Sequence, residues 1–262
     1  MENKEFNEFI TDFSKIKGIQ AIVLAGSRIT NYSDDKADYD IYIYSEKEVD
    51  LKIRQKIFSK YCIHYEIGNC YWELEDNGIF KSGIYFDIIY RNLNEFIIKI
   101  SNVVEKYESY NGFTTCLWHN IINSEILFDK KGIIENLKKR FQIPYPKKLK
   151  ENIIKRNMEL LSDSIISYNK QIQKSAYRKD YVNINNRVSA FLASYFDIIF
   201  AINELTHPGE KRLIEICLCK CKILPNNFEK NVNSLIKNIS DDKKLISIVD
   251  KMILELKKVI NY

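Results

Sequence analysis

Between Ile19 and Ser45 the chain reads strand, tight turn, short helix, strand, and no other stretch restricts the fold as much. Ala21 to Ala25 is a short apolar run that ends at Gly26, where a residue without Cβ lets the backbone turn sharply and lets a phosphate come close to it. Ser27 opens a helical turn, whose unpaired N–H groups and partial positive charge, with the Ser27 hydroxyl as a further donor, suit the end of a nucleoside triphosphate. Arg28 adds a positive charge beside it. Ten residues separate Ser27 from Asp38, and Asp38 and Asp40 then alternate with Tyr39, Ile41 and Ile43. In a strand that spacing puts both carboxylates on one face.

Two carboxylates one strand repeat apart repel each other unless a cation lies between them. Mg²⁺ is the natural candidate, because it takes hard oxygen ligands and is commonly shared between carboxylates and substrate phosphates. A third acid stands in the strand-like run GIYFDIIYRN, where Tyr85, Asp87 and Ile89 share one face and Phe86, Ile88 and Tyr90 the other. Three acids and a phosphate turn imply two-metal phosphoryl chemistry. A lone Gly-Ser turn is ordinarily only a turn, and a lone Asp-x-Asp pair a solvated strand end; the order of all the parts carries the reading. Asp34 and Asp35 lie in a segment of turn composition and read as loop.

Gly26-Ser27, ten residues, Asp38-Tyr39-Asp40-Ile41 and a later Asp87 on a strand resemble the DNA polymerase β-like nucleotidyltransferase superfamily. Within it, Gly-Ser-Arg followed by Asp-Tyr-Asp-Ile resembles the bacterial enzymes that adenylylate aminoglycosides. ILFDKKG at 126–132, the helix from Tyr195 to Asn203 and HPGEKR at 207–212 resemble a group of bacterial two-domain nucleotidyltransferases. The resemblance implies transfer of a nucleoside monophosphate, AMP from ATP, to an acceptor hydroxyl. It makes Asp38 and Asp40 ligands of Mg²⁺, two ions in all, and makes Asp87 a ligand of the second ion or the group that takes the hydroxyl proton. Gly26 and Ser27 then hold the triphosphate, with Arg28 and Lys211 as helpers. A small molecule such as an aminoglycoside or lincosamide antibiotic is the implied acceptor. A tRNA or protein acceptor and a non-catalytic nucleotide-binding module are the competing readings.

Length and composition set the bounds. A chain of 262 residues accommodates one large or two ordinary domains. Its 40 basic and 35 acidic residues give a net charge of +5, a mild excess without the clustered basic stripe of a protein built to grip nucleic acid. The first residues alternate acids with apolar side chains, unlike a signal peptide. The longest apolar stretch, Ala190 to Ile202, contains Ser194 and Asp197 and is too short to cross a bilayer. These features predict a cytoplasmic protein with no membrane partner, and the cysteine spacings resemble no disulfide framework.

The chain in order predicts α+β architecture, a mixed sheet flanked by helices and followed by an all-helical bundle. Apolar positions at Phe6, Phe9, Ile10, Phe13 and Ile16 predict a first helix on the sheet. Val49 to Lys60 predicts another, Tyr61 to Ile67 a strand, and the segment with Asn69, Asp76, Asn77 and Gly78 a polar, turn-rich connection. His64 and Glu66 share a face and read as a satisfied pair or as a base near the site. Asp129 reads as turn chemistry. Two prolines in PYPKK at 144–148 mark the boundary between a catalytic domain over 1–143 and an acceptor-binding helical domain over 147–262. There, Ile153, Met158, Leu161, Ile165, Ile166 and Tyr168 mark one helix and Tyr181 to Asn203 a long one. HPGE at 207–210 initiates a third that runs from Arg212 to Lys222, with Lys211 and Arg212 in its first turn. Cations are misplaced there with respect to the helix dipole, so either a bound anion or solvent relieves them. Cys217, Cys219 and Cys221 read as small apolar residues, since only Cys217 and Cys221 share a helical face.

Overall fold

The computed structural model describes residues 4–26, 28 and 37–260, so Ser27, Asp34 and Asp35 lie outside the described residues. The chain divides into two compact units, Met1–Ser101 with Asn120–Ile143, and Asn102–His119 with Pro144–Tyr262. Residues 102–119 thus group with the later helices, whereas a division at the prolines would leave them with the sheet.

The first unit is a six-stranded mixed sheet in the order β3-β4-β5-β2-β1-β6. Its strands are β1 (Ile19–Ala25), β2 (Tyr39–Ser45), β3 (Cys62–Asn69), β4 (Glu75–Phe80), β5 (Tyr85–Asn92) and β6 (Glu125–Asp129). β2 and β5 pair in parallel, and the remaining neighbours pair antiparallel. α1 (Lys4–Ser14) and α2 (Leu51–Tyr61) contribute the aromatic side of the core, and α3 (Leu93–Val104) and α4 (Cys116–Asn123) follow β5 in the chain. Phe9 lies 4.9 Å from Phe13, 5.1 Å from Phe80 and 5.0 Å from Phe86 between ring centroids. A buried aromatic contributes roughly 1.5–3 kcal/mol by removing its area from water, so this cluster anchors the sheet to its helices. Asp129 ends β6 and accepts hydrogen bonds from the backbone N–H of Ile133 and Glu135, which stops the strand and starts α5 (Ile133–Phe141).

β4 corrects the expected turn-rich connection. The alternation is present, but its inward residues are Asp76, Gly78 and Phe80, so a count of apolar residues misses it. Gly78 is required by packing, since a Cβ there would lie 2.4 Å from the Phe86 ring. Asp76 is fully buried and accepts from Arg54 Nη1 at 2.8 Å, from the Tyr90 hydroxyl at 2.7 Å and from Gly68 N–H at 2.8 Å. Burial pushes its carboxyl pKa up, and those three donors pull against the rise.

The second unit is helical and is centred on α8 (Tyr181–Ile202), which packs against α6 (Lys147–Met158) and α7 (Tyr168–Tyr177). Ile184, Val188, Phe191, Tyr195, Ile198 and Ile199 recur at helical spacing and are buried. α10 (Phe228–Lys237) and α11 (Asp242–Val259) complete the core. Two expectations are corrected here. The helix expected through Ile153 and Tyr168 breaks: α6 runs into a π-helical turn, Glu159–Asp163, whose wider winding shifts the register, and Ile165 and Ile166 emerge 88% and 72% exposed. The helix expected from Arg212 is α9 (Leu213–Lys220), and Arg212 caps it from outside with a left-handed φ of 56°. Lys211 precedes the first turn and is exposed. Among the described residues no helix is long and apolar enough to cross a membrane.

Candidate active site

Asp40 is the second residue of β2, and the parallel pairing with β5 makes Asp87 its direct partner. Tyr39, Ile41, Phe86 and Ile88 are buried, while Asp40 and Asp87 are half-buried on the opposite face of the same two strands. Antiparallel pairing with β1 puts Ala25 beside Asp40, and Gly26 follows with φ +71°. A Cβ on Gly26 would lie 1.7 Å from Asp40 Oδ2. Glycine is therefore required twice, for a left-handed backbone and for the space the carboxylate occupies.

The row of side chains continues across the sheet. Asn77 is the partner of Asp87 on β4, and Glu66 the partner of Asn77 on β3. Asn77 Nδ2 donates to Asp87 Oδ1 at 2.7 Å. Asn69 Nδ2 donates to Asn77 Oδ1 at 2.7 Å and to Glu66 Oε2 at 3.2 Å. One rung along the same face, Glu75 has its carboxyl pKa raised by burial and then by the charges of Asp87 and Glu73. Arg91 lies 4.2 Å over the ring of Tyr42 and pairs with Glu73 at 3.1 Å.

Of the residues singled out from sequence, the fold brings Asp40, Asp87 and Gly26 together. Asp38 is exposed, one residue ahead of β2. Arg28 is engaged by the protein itself: its Nε donates to the Ala37 carbonyl at 2.7 Å, and its guanidinium lies 3.9 Å over Tyr39, on which Phe6 stacks at 4.0 Å. Lys211 belongs to the second unit. Among the described residues no three His, Cys, Asp or Glu side chains are grouped closely enough to hold a metal ion. The pair Asp40 and Asp87, with a Cβ-free backbone against it, is a hard-oxygen donor set, and it fits Mg²⁺, which one or two carboxylates hold together with substrate phosphates.

Asn69, Asn77 and Glu75 lie where the sequence read mostly as connection, and the alternation around Asp76 and Gly78 was the available signal. His64 and Glu66 are exposed. Cys217 is buried and hydrogen-bonded to Cys221, while Cys219 is exposed.

The second unit holds a buried polar network of its own. Asp197 accepts from Thr114 N–H at 3.0 Å, Thr114 Oγ1 at 2.6 Å and Asn157 Nδ2 at 3.2 Å. Burial lifts its pKa to about 6. His207, the first residue of HPGEKR, is fully buried between Phe113 and Phe200, and its backbone N–H donates to Thr115 Oγ1 at 2.7 Å. Its ring Nδ1 accepts from Gly209 N–H at 3.2 Å. Burial depresses the His207 pKa to about 3 and that of His119, which bonds Thr206 Oγ1 at 2.7 Å, to about 4. These bonds tie residues 113–119 to α8 and to the loop before α9.

Residues 114–212, less than half of the chain, match the family model described as Domain of unknown function (DUF4037). No curated protein matches the chain. Among solved structures, a nucleotidyltransferase-like protein from Exiguobacterium sibiricum 255-15 is similar at 10% identity and a TM-score of 0.44, covering 99% of this chain and 75% of that one. An aminoglycoside 6-adenyltransferase from Bacillus subtilis is similar at 11% identity and a TM-score of 0.31, covering 100% of this chain and 93% of that one. Both carry nucleotidyltransferase names. At these identities and TM-scores neither assigns an activity to this chain.

Proposed function

We propose that the chain is a Mg²⁺-dependent nucleotidyltransferase that moves AMP from ATP to a hydroxyl of a small molecule, with an aminoglycoside-type antibiotic as the first acceptor to test. The observation that carries this reading is the register pair Asp40 and Asp87 with Gly26 set against Asp40. Asp40 and Asp87 would hold the cation, Asp38 would join them at the mouth of β2, and Mg²⁺ when bound would neutralise the triphosphate. The acceptor oxygen attacks the α-phosphorus, the bond to the β-phosphate oxygen breaks, and pyrophosphate leaves. Asp87, with one oxygen engaged by Asn77, presents the other to the cation or to the acceptor proton. Gly26 lets backbone N–H groups approach the phosphates. The sheet unit is thus the catalytic part, and the helical unit serves the acceptor.

One feature favours a second acceptor class. Lys170, Lys174 and Arg178 recur every four residues along α7 and just past its end, all exposed, beside Tyr177, which is 91% exposed. These three cations are a local row, short of the extended stripe that the sequence lacks, and they suit an anionic acceptor such as tRNA. Labelled ATP with Mg²⁺, offered a panel of aminoglycosides, lincosamides, tRNA and protein, tests both. Label in a small molecule supports the proposal, label in tRNA replaces the acceptor, and label in none of them refutes transfer to these classes.

A further inference from the structure

We propose that Asn77 is a positioning residue for Asp87, acting at the end of an amide chain that runs Glu66, Asn69, Asn77, Asp87 across β3, β4 and β5. The inference rests on the reading of Asp40 and Asp87 as the cation-holding pair. An ionised carboxylate only accepts hydrogen bonds, so Asn77 must turn its NH₂ group toward Asp87 Oδ1 and its carbonyl toward Asn69. The NH₂ group of Asn69 then uses one hydrogen on Asn77 and the other on Glu66. Both ends of the chain are carboxylates, which fixes the direction of every amide between them.

This arrangement does two things for Asp87. It supplies a donor to the charged form of a group that stands directly beside Asp40, where like charges otherwise oppose each other. It also commits Oδ1, so that Oδ2 is the oxygen turned to a ligand. Asn77 is half-buried on the face of the sheet opposite the aromatic core, so its removal leaves that core and the β4 backbone pairing in place.

The test is a cycle of Asn77→Ala, Asp87→Asn and the double variant in the full chain, with Mn²⁺ affinity read by electron paramagnetic resonance and thermal midpoint read alongside. Asn77→Ala is expected to weaken Mn²⁺ binding about 10-fold, the scale of one hydrogen bond to a charged group. In the Asp87→Asn background it should weaken it no further, because its effect passes through Asp87. An unchanged Mn²⁺ affinity in Asn77→Ala, or an equal loss in both backgrounds, overturns the role. If the parent binds Mn²⁺ but labels no acceptor, the transferase reading fails and the cycle still decides the role of Asn77. If the parent binds no Mn²⁺ at millimolar concentration, the metal pair itself is refuted and the inference falls with it. Where transfer is seen, Asn77→Ala should lower kcat while the KM for ATP holds; a rise in KM alone overturns the role.

Discussion

The carboxylate of Asp40 lies where a side chain on Gly26 would have to be. The glycine therefore sets the position of the acid as well as the path of the chain. Gly26→Ala should displace the Asp40 carboxylate and strain a left-handed backbone, which is worth roughly 1–2 kcal/mol by itself. Nucleotide transfer should fall by about 10²-fold or more, with a lowered thermal midpoint. Parent-level transfer in this variant would mean that Asp40 is not held against the turn during the reaction.

Asp40→Asn and Asp87→Asn each remove charge and keep shape, and in Asp87→Asn the new side chain still offers Asn77 an acceptor. Both should abolish transfer and reduce, without removing, the rise in thermal midpoint that Mn²⁺ gives the parent. In chelator, Asp40→Asn should be at least as stable as the parent, because repulsion with Asp87 is gone. Full activity in either variant would remove that residue from the site.

The Arg54 and Asp76 pair is a structural test independent of function. Both side chains are buried, and Arg54 also reaches Glu48 at 3.4 Å. Arg54→Ala strands a buried carboxylate and should cost about 3–5 kcal/mol in urea unfolding. Adding Asp76→Asn should recover part of that loss. Recovery of nothing would indicate that Arg54 contributes by packing on Tyr90, over whose ring it lies at 4.9 Å.

The second unit should show a pH dependence with a defined sign. His119 and His207 have folded pKa values of about 4 and about 3, below the unfolded value, so the unfolded chain binds two protons that the folded one refuses. That stability is present above the unfolded histidine range and is lost as the pH falls. Asp197, raised to about 6, holds a proton in the folded chain that the unfolded chain releases, so its contribution declines as the pH rises toward 6. Between pH 4 and 6 the balance is one proton, and stability should rise by about 1.4 kcal/mol per pH unit from these groups. Asp197→Asn should steepen this slope relative to the parent and His207→Gln should flatten it, both read from urea unfolding across the range. A slope indifferent to both substitutions would show that neither group carries the linkage.

Legibility from sequence followed the kind of residue that fills the core. β1, β2 and β5 announced themselves because apolar side chains occupy their buried positions, and the long α8 did so for the same reason. β4 did not, because its inward positions hold an aspartate satisfied by Arg54 and a glycine cut to fit Phe86. The face shared by Asp40 and its neighbours was legible from alternation alone. The direct partnership of Asp40 with Asp87 was not, since it depends on β2 and β5 being adjacent and in parallel register. His207 and Arg212 show the reverse error: a run that reads as the start of a helix with Arg212 in its first turn is a buried, hydrogen-bonded histidine followed by a left-handed cap. Ile165 and Ile166 looked like core because a π-helical turn cannot be seen in a regular period.

The parallel pairing of β2 with β5 also orders events in time. Asp40 leaves the ribosome while Asp87 is still being translated, and α2, β3 and β4 must be made before β5 can be laid beside β2. Antiparallel neighbours such as β3 and β4 can zip together as they emerge, but the parallel contact waits for the whole crossover. A nascent chain therefore has no Asp40 and Asp87 pair until β5 has been made and laid beside β2, and the half of the sheet that precedes β5 takes shape without that pair.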